Sequence, residues 1–208
     1  SRLLDNNPVN EDMNQAGELV DVAFGINIVV NTKSKHSKLF CGDFHDAWIK
    51  SCKYVDDCYG VPIEKEADIV IASCGGYPKD INLYQSTKSI FNAARAVKKG
   101  GTVIFLAECR EGGGAPDFFS WIEPLKRGVL DEELRANFTI GGYIFYALCE
   151  AIAKSKMIML SEIDPNFVKD LNINSYKNID ELLEKVDFEG KDVCVLPYGG
   201  SVVPLLQD

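Results

Sequence analysis

The segment at residues 67–88, ADIVIASCGGYPKDINLYQSTK, constrains the fold of this chain more than any other. Its apolar, β-branched first half predicts a buried strand over residues 68–73. Gly75 and Gly76 then permit a backbone turn that side chains would obstruct. Asp80 is the predicted N-cap of the helix that follows. This order of strand, glycine loop and helix N-terminus is typical of ligand sites in α/β proteins, because ligands settle at the carboxyl ends of parallel strands.

The segments on either side extend this unit into an α/β fold. The helix is predicted to end at Gly100 and Gly101, and the apolar run TVIFLA at 102–107 predicts a second strand parallel to the first. Further strands are predicted at 157–160, 193–196 and 201–205, and helices around 116–125, from 131, at 141–155 and at 178–186. We therefore predict a doubly wound, mostly parallel sheet with helices on both faces.

The N-terminal part of the chain follows a different pattern. Asn10 is a predicted N-cap for a helix that ends near residue 20. Residues 24–30 and 38–41 predict an antiparallel hairpin, joined by a polar turn at residues 31–37 that contains His36. Asp43 is the predicted N-cap of a helix that runs from about Phe44 to Tyr59. We predict that residues 1–20 form an inter-domain helix or linker and that residues 21–208 form one α/β domain.

Composition excludes two classes of partner. The 208 residues include 31 acidic and 22 basic side chains, a formal net charge of −9. A general nucleic-acid binder needs a basic stripe to displace counterions, so we expect no nucleic-acid partner. The longest apolar runs are far shorter than the roughly 20 residues that span a bilayer, so we also expect no membrane partner.

The cysteines indicate a reducing compartment. There are seven, an odd number at irregular spacings with no C-x-x-C pair, which argues against a disulfide framework or a structural zinc site. The first residues lack the apolar core of a signal peptide, so we expect a cytoplasmic protein. Cys74 opens the glycine loop, where a thiol is compatible with exposure, but no basic neighbour in sequence would activate it.

Histidine and glycine patterns limit the chemistry. The chain has only two histidines, His36 and His45, and both fall in segments that predict solvated side chains. A Ser–His–Asp or Cys–His arrangement and a histidine-based metal site are therefore poorly supported. The dinucleotide fingerprint G-x-G-x-x-G is absent at the first strand–helix turn, and so is a Walker A lysine pattern.

Tyr84, Gln85 and Lys88 form the most suggestive group. Gln85 and Lys88 are three residues apart, hence neighbours on one face of the predicted helix and close to its positive end. An ammonium group, a side-chain amide and helix amides together suit a carboxylate or another small anion. A solvated surface turn explains the same spacing, so residue pattern alone leaves both interpretations open.

The chain resembles the carboxyl-terminal half of the nickel-dependent lactate racemase family. Three stretches carry the resemblance: residues 67–89 (ADIVIASCGGYPKDINLYQSTKS), 100–114 (GGTVIFLAECREGGG) and 6–17 (NNPVNEDMNQAG). The pattern G-G-Y-P-x-D-x-x-x-Y-Q-x-x-K within the first is long and specific. The resemblance covers most of the chain and is strongest from residue 67 to residue 114.

The resemblance implies a two-domain enzyme that interconverts the enantiomers of a 2-hydroxy acid. In that family a nickel-pincer nucleotide takes hydride from the substrate and returns it to either face. A lysine and histidines of the amino-terminal domain hold that cofactor and exchange the hydroxyl proton, and no position here matches those motifs. The resemblance thus implies that this chain is the carboxyl-terminal domain, with a small 2-hydroxy acid and its own amino-terminal domain as partners.

The same resemblance implies roles for individual residues. Gln85 and Lys88 match the family's substrate-binding glutamine and lysine, and Tyr84 matches the adjacent tyrosine. Tyr143 corresponds, in a loosely aligned region, to an aromatic residue that reaches the site in some members. Two further interpretations stay open from the residues themselves: a non-catalytic α/β module that binds a small anion or a partner domain, and a nucleotide-dependent dehydrogenase.

Overall fold

The computed structural model describes residues 4–31 and 35–207, and the chain divides into two compact units after Gly60. In the first unit, helix α1 spans Pro8–Glu18, strands β1 and β2 span Gly25–Val30 and His36–Gly42, and helix α2 spans Phe44–Tyr59. The two strands pair antiparallel, which confirms the predicted hairpin. The predicted boundary at residue 20 stays a prediction, whereas the division between compact units lies at residue 60.

Local details of the first unit differ from the sequence prediction. The N-cap of α1 is Asn7, whose side chain accepts from the Val9 amide, and not Asn10. Pro8 explains the shift, because proline favours the first position of a helix and places the cap one residue before it. His36 is the first residue of β2 rather than part of the turn. Residues 32–34 of the predicted turn lie outside the described residues.

The second unit contains the α/β fold. Its strands are β3 (Gly60–Ile63, whose first residue is the last of the first unit), β4 (Ala67–Ser73), β5 (Val97–Leu106), β6 (Lys156–Leu160), β7 (Ile173–Tyr176), β8 (Val193–Leu196) and β9 (Val203–Leu206). Its α-helices are α3 (Leu83–Ala96), α4 (Pro116–Phe119), α5 (Ile122–Lys126), α6 (Leu130–Ala136), α7 (Ile140–Ala153), α8 (Pro165–Val168) and α9 (Ile179–Leu183). Short 3-10 helices lie at Lys169–Leu171 and Gly199–Ser201.

Five strands form one parallel sheet in the order β7-β6-β5-β4-β8. Ile71 of β4 lies opposite Ile104 of β5 on one side and Val195 of β8 on the other. The chain builds the sheet outward from β4 through β5, β6 and β7, and then returns to place β8 on the other side of β4. The carboxyl ends of β4 and β8 are therefore the topological switch point, where doubly wound proteins bind ligands.

Helices cover both faces of this sheet, which confirms the predicted fold class. Under α3 and α7, the core of one face includes Val70, Phe105 and Met157, all fully buried. On the opposite face the alternate side chains pack under α9, with Leu182 buried among Ile69, Ile104 and Ile158. In the part of the chain that the structure describes, no helix is long and apolar enough to cross a membrane.

Several predicted elements are altered by tertiary contacts. The predicted helix at 116–125 is split into α4 and α5, because Pro124 has no amide hydrogen and its ring clashes with the carbonyl four residues earlier. The predicted closing strand at 201–205 forms as β9 but pairs with β3, apart from the main sheet. Strand β7 and helix α8 were not predicted, since each spans only four residues and carries little periodicity.

Candidate functional site

The loop after β4, the loop after β8 and helix α3 meet at the switch point of the sheet. The loop after β4 approaches the loop after β8 so closely that a Cβ atom on Gly75 would lie 3.2 Å from the Tyr198 ring. Asn92 of α3 donates to the Gly199 carbonyl at 2.7 Å, and Lys79 donates to the Ser201 hydroxyl at 3.0 Å. Hydrogen bonds therefore join α3, the glycine loop and the 3-10 helix into one edge.

The glycine loop turns as the sequence predicts, but its cysteine faces inward. Gly75 and Gly76 have φ angles of +85° and +80°, in the left-handed region that glycine adopts without strain. Cys74 is 1% exposed, so the expectation that its thiol could be exposed is wrong. Its amide bonds to the Leu106 carbonyl and continues the ladder between β4 and β5, which directs the side chain into the core. Burial raises the pKa of this thiol.

The N-cap of α3 is Asn82 rather than Asp80, two residues earlier. The Asn82 side chain accepts from the Gln85 amide at 2.9 Å. The amides of Leu83 and Tyr84 donate to the carbonyls of Gly112 and Gly113, at 2.9 and 3.1 Å. All three amides of the first turn are thus occupied within the protein. The expectation that helix amides contribute to an anion pocket is wrong for these three.

Gln85 and Lys88 remain available at this edge. Gln85 is half-buried and Lys88 is exposed, one helical turn further along the same face of α3. Within residues 4–31 and 35–207, neither side chain has a hydrogen-bond or ion-pair partner, whereas Lys98, Lys154 and other lysines are paired. An ammonium and an amide three residues apart, free of internal partners, can bind one carboxylate from two directions.

Tyr84 is placed differently from its two neighbours. Its ring packs edge-on against the buried Phe118, with ring centroids 5.2 Å apart. Its Cβ atom lies only 2.9 Å from where a Cβ of Gly114 would be, so the loop after β5 fits closely around it. The ring therefore anchors the first turn of α3 to the core. We find no hydrogen bond from its hydroxyl to another described residue, so the oxygen at the ring edge is available.

Tyr143 lies on the first turn of α7 and is exposed, with Phe138 as its aromatic neighbour at 6.4 Å. Because α7 precedes a parallel strand, it begins at the same carboxyl edge as α3. In the described part of the chain, no hydrogen bond or ring contact joins Tyr143 to Gln85 or Lys88, so its part in the site stays a prediction.

Sequence reasoning missed the exposed side chains around the glycine loop. Tyr77 and Tyr198 are both exposed, and the Arg110 guanidinium lies 4.7 Å from the centre of the Tyr77 ring. Arg110 also forms an ion pair with Glu108 at 3.2 Å. The signal available in sequence was the pairing of the two glycine loops at the ends of neighbouring parallel strands, which places residues 77 and 110 on one edge.

The described residues form no preformed metal centre. Within the described ranges 4–31 and 35–207, no group of three or more histidine, cysteine, aspartate or glutamate side chains is arranged to hold a metal ion. His36 and His45 belong to the first unit, on β2 and on the first turn of α2. The described residues therefore offer no ready set of ligands for a metal ion.

Known proteins define the class to which this chain belongs. Residues 63–204 match the family model described as the lactate racemase C-terminal domain. The match covers more than half of the chain, and its span lies within the second unit that carries the parallel sheet and the candidate site. The chain is therefore a member of the lactate racemase C-terminal domain family.

Individual relatives extend the match beyond that domain. The lactate racemase of Thermoanaerobacterium thermosaccharolyticum is 32% identical over 210 residues, which cover 97% of this chain and 49% of that protein. The lactate racemase of Lactiplantibacillus plantarum is 28% identical over 206 residues, 95% of this chain and 48% of that protein. The chain thus spans about half the length of these curated relatives.

Solved structures give the same result. The lactate racemase apoprotein from Thermoanaerobacterium thermosaccharolyticum superposes with a TM-score of 0.87 at 32% identity, over 98% of this chain and 51% of that one. A Thermotoga maritima protein superposes with a TM-score of 0.67 at 14% identity, over 97% of this chain and 54% of that one, which shows the shared fold alone.

Proposed function

We propose that this chain is the substrate-side half of a 2-hydroxyacid racemase or epimerase of the lactate type. The observation that carries the proposal is the pair Gln85 and Lys88, which have no partner among the described residues and lie at the switch point of a lactate racemase C-terminal domain. In an enzyme with this site, one domain holds the substrate and the other performs the chemistry on its reacting carbon.

Each residue has a distinct task in this proposal. The Lys88 ammonium binds the substrate carboxylate or neutralises a developing alkoxide, and the Gln85 amide fixes the orientation of the substrate. The Tyr84 hydroxyl is assigned to the border of the same space, and the contact of its ring with Phe118 supports a fixed position for the ring. Gly75 lets the loop pass close to the Tyr198 ring, and a Cβ at Gly76 would have no described atom within 4 Å, so the loop leaves space there.

The reaction itself is assigned to the other half of the enzyme. Family resemblance supports hydride transfer to and from a nickel-pincer nucleotide held mainly by an amino-terminal domain. The described residues of this chain offer no set of ligands for the nickel ion. The contribution of this chain is to orient the substrate so that its reacting C–H bond faces the opposite domain. On its own we expect the chain to be inactive.

An amino-terminal domain as partner is supported by an uncovered surface in the first unit. Ile28 and Leu39 lie opposite each other on the hairpin and are 50% and 58% exposed, flanked on the same face by the exposed Ile26. A two-stranded hairpin with an apolar open face is marginally stable in water. The curated relatives are about twice as long, so the additional polypeptide is a suitable cover.

A cytoplasmic location is part of the proposal. All seven cysteines are free, and two of them, Cys41 and Cys58, are exposed. Free exposed thiols persist in a reducing compartment and tend to oxidise outside it.

The test is Lys88→Ala in the full-length gene product. Loss of one preorganised cationic contact should lower the rate of lactate racemisation by roughly a hundredfold or more, with the metal content unchanged. Lys99→Ala, an exposed lysine at the amino end of β5, is the matched control and should keep full activity. Full activity in Lys88→Ala would instead favour a non-catalytic module that binds an anion or a partner domain.

A further inference from the structure

One buried charge in the second unit has no part in the site described above. Among residues 4–31 and 35–207, Asp80 is the only charged side chain that is buried, at 7% exposure. Burying a carboxylate is costly unless its oxygens are well bonded. Here only Oδ2 has a hydrogen-bond partner in the described structure, and Oδ1 is buried without one. Helix capping does not explain the residue, because Asn82 caps α3.

The bonded oxygen reaches into the next loop of the sheet edge. Asp80 Oδ2 accepts from the Glu108 amide at 3.2 Å, and the Asp80 carbonyl accepts from the Cys109 amide at 2.8 Å. The Ile81 carbonyl accepts from the Glu111 amide at 2.9 Å. The side chain thus begins a continuous set of hydrogen bonds between the segment before α3 and the loop after β5.

The same set of bonds ends at the substrate-holding helix. Beyond Glu111, the direction of donation reverses, and the carbonyls of Gly112 and Gly113 accept the first two amides of α3. The position of residues 108–113 therefore sets the position of the turn that carries Gln85, with Lys88 one turn further. The Glu108 carbonyl is held from its other side by the Ser161 hydroxyl at 2.9 Å.

The geometry points to Asp80 as a positioning residue for the proposed substrate-holding face of Gln85 and Lys88. Its carboxylate fixes Glu108 at the start of the second glycine loop, which is the loop after β5 (residues 107–115). That loop in turn fixes the first turn of α3. This inference rests on the proposed function, because positioning matters only if α3 holds the substrate. Asp80 itself does not contact the substrate, since both of its side-chain oxygens are buried or bonded to Glu108.

The first arm of the test needs no activity and uses the present chain. Amide hydrogen exchange is measured at Glu108 and Cys109 in the native protein, Asp80→Ala and Asp80→Asn. Alanine removes the acceptor and should speed exchange at these amides by roughly tenfold, whereas the asparagine oxygen should preserve protection. The control is Asp164→Asn, the same substitution at the N-cap of α8, where asparagine is an equally good cap. Unchanged exchange in Asp80→Ala overturns the inference.

The second arm uses the full-length gene product. Asp80→Ala should lower kcat/KM for racemisation by roughly tenfold to a hundredfold with the metal content unchanged, and Asp80→Asn should lie within about threefold of the native enzyme. Faster loop exchange with native kcat/KM in Asp80→Ala would show a purely structural role and overturn the inference.

If Asp80→Ala does not fold, the test rests on Asp80→Asn. A tenfold loss of kcat/KM in Asp80→Asn, with exchange at Glu108 and Cys109 as in the native protein, would also overturn the inference. Failure of the proposed function is recognised separately, by full activity in Lys88→Ala.

Discussion

Gly113 offers a sharp test of how closely the second glycine loop is packed. A Cβ atom at this position would lie 2.6 Å from both the Phe119 and the Phe167 rings, which stack on each other with centroids 3.9 Å apart. Overpacking of this kind costs about 1–3 kcal/mol. Restricting the unfolded chain by Gly→Ala returns about 0.4–1 kcal/mol, since the φ angle of Gly113 is not in the left-handed region.

The midpoints of these two ranges give a net destabilisation of roughly 1.3 kcal/mol for Gly113→Ala, within limits of roughly 0 and 2.6 kcal/mol. For a chain of this size, roughly 1.3 kcal/mol lowers Tm by roughly 3–5 °C, which thermal unfolding followed by circular dichroism resolves. Gly112→Ala is the matched control one residue earlier. A side chain there meets nothing within 4 Å, but φ is +63°, so its cost of about 1–2 kcal/mol is backbone strain alone.

Phe167→Ala separates the two causes. Phe167 is 40% exposed and stacks on Phe119, so the single variant measures the cost of its removal. That removal relieves one of the two ring contacts that Gly113→Ala would create. We expect the double variant Gly113→Ala/Phe167→Ala to be more stable than the sum of the two single effects predicts, by at least about 0.5 kcal/mol. The effects of Phe167→Ala and Gly112→Ala should simply add. If the effect of Phe167→Ala adds to that of Gly113→Ala just as it adds to that of Gly112→Ala, the packing argument for Gly113 is refuted.

Two further predictions concern the cap of α3 and the buried thiols. Asn82→Ala should lower the free energy of unfolding by about 1 kcal/mol in urea titrations, because the Gln85 amide loses its acceptor. Asn82→Ser should stay near the native stability, since a serine hydroxyl also accepts from that amide. An unchanged stability in Asn82→Ala would contradict the role of Asn82 as the cap. Burial raises the pKa of Cys109 to about 11, so its contribution to stability is complete below about pH 9 and is lost as the pH rises through about 11. At pH 8 a thiol-alkylating reagent should modify the exposed Cys41 and Cys58 but spare Cys109, as mass spectrometry of the native protein would show; early labelling of Cys109 would contradict its burial.

Local pattern was sufficient wherever one segment decided its own structure. Helix α2 begins after its predicted cap Asp43, whose carboxylate accepts from the Asp46 amide, and ends at Tyr59 as predicted. The apolar runs of β4 and β6 form strands within one residue of their predicted bounds. In each case the periodicity of 2 or 3.6 residues and an adjacent glycine or capping residue lie within the same short stretch.

Choices between nearby alternatives needed contacts distant in sequence. Asp80 and Asn82 are both acceptable caps by type, and the position of the loop after β5 decides between them. That loop brings the Glu108 amide to Asp80, 28 residues away, and leaves Asn82 to cap α3. The same loop position explains why the first two amides of α3 are bonded, because the carbonyls of Gly112 and Gly113 that accept them also belong to this loop.

Local periodicity and backbone freedom along single segments specify the class of fold, the glycine turn after β4 and the placement of Gln85 and Lys88 on one helical face. Contacts between distant segments bury Cys74, pair β9 with β3 and bring Asp80 to the loop after β5. These features depend on which groups the folded chain brings within hydrogen-bond and packing distance, and no spacing along one segment encodes that.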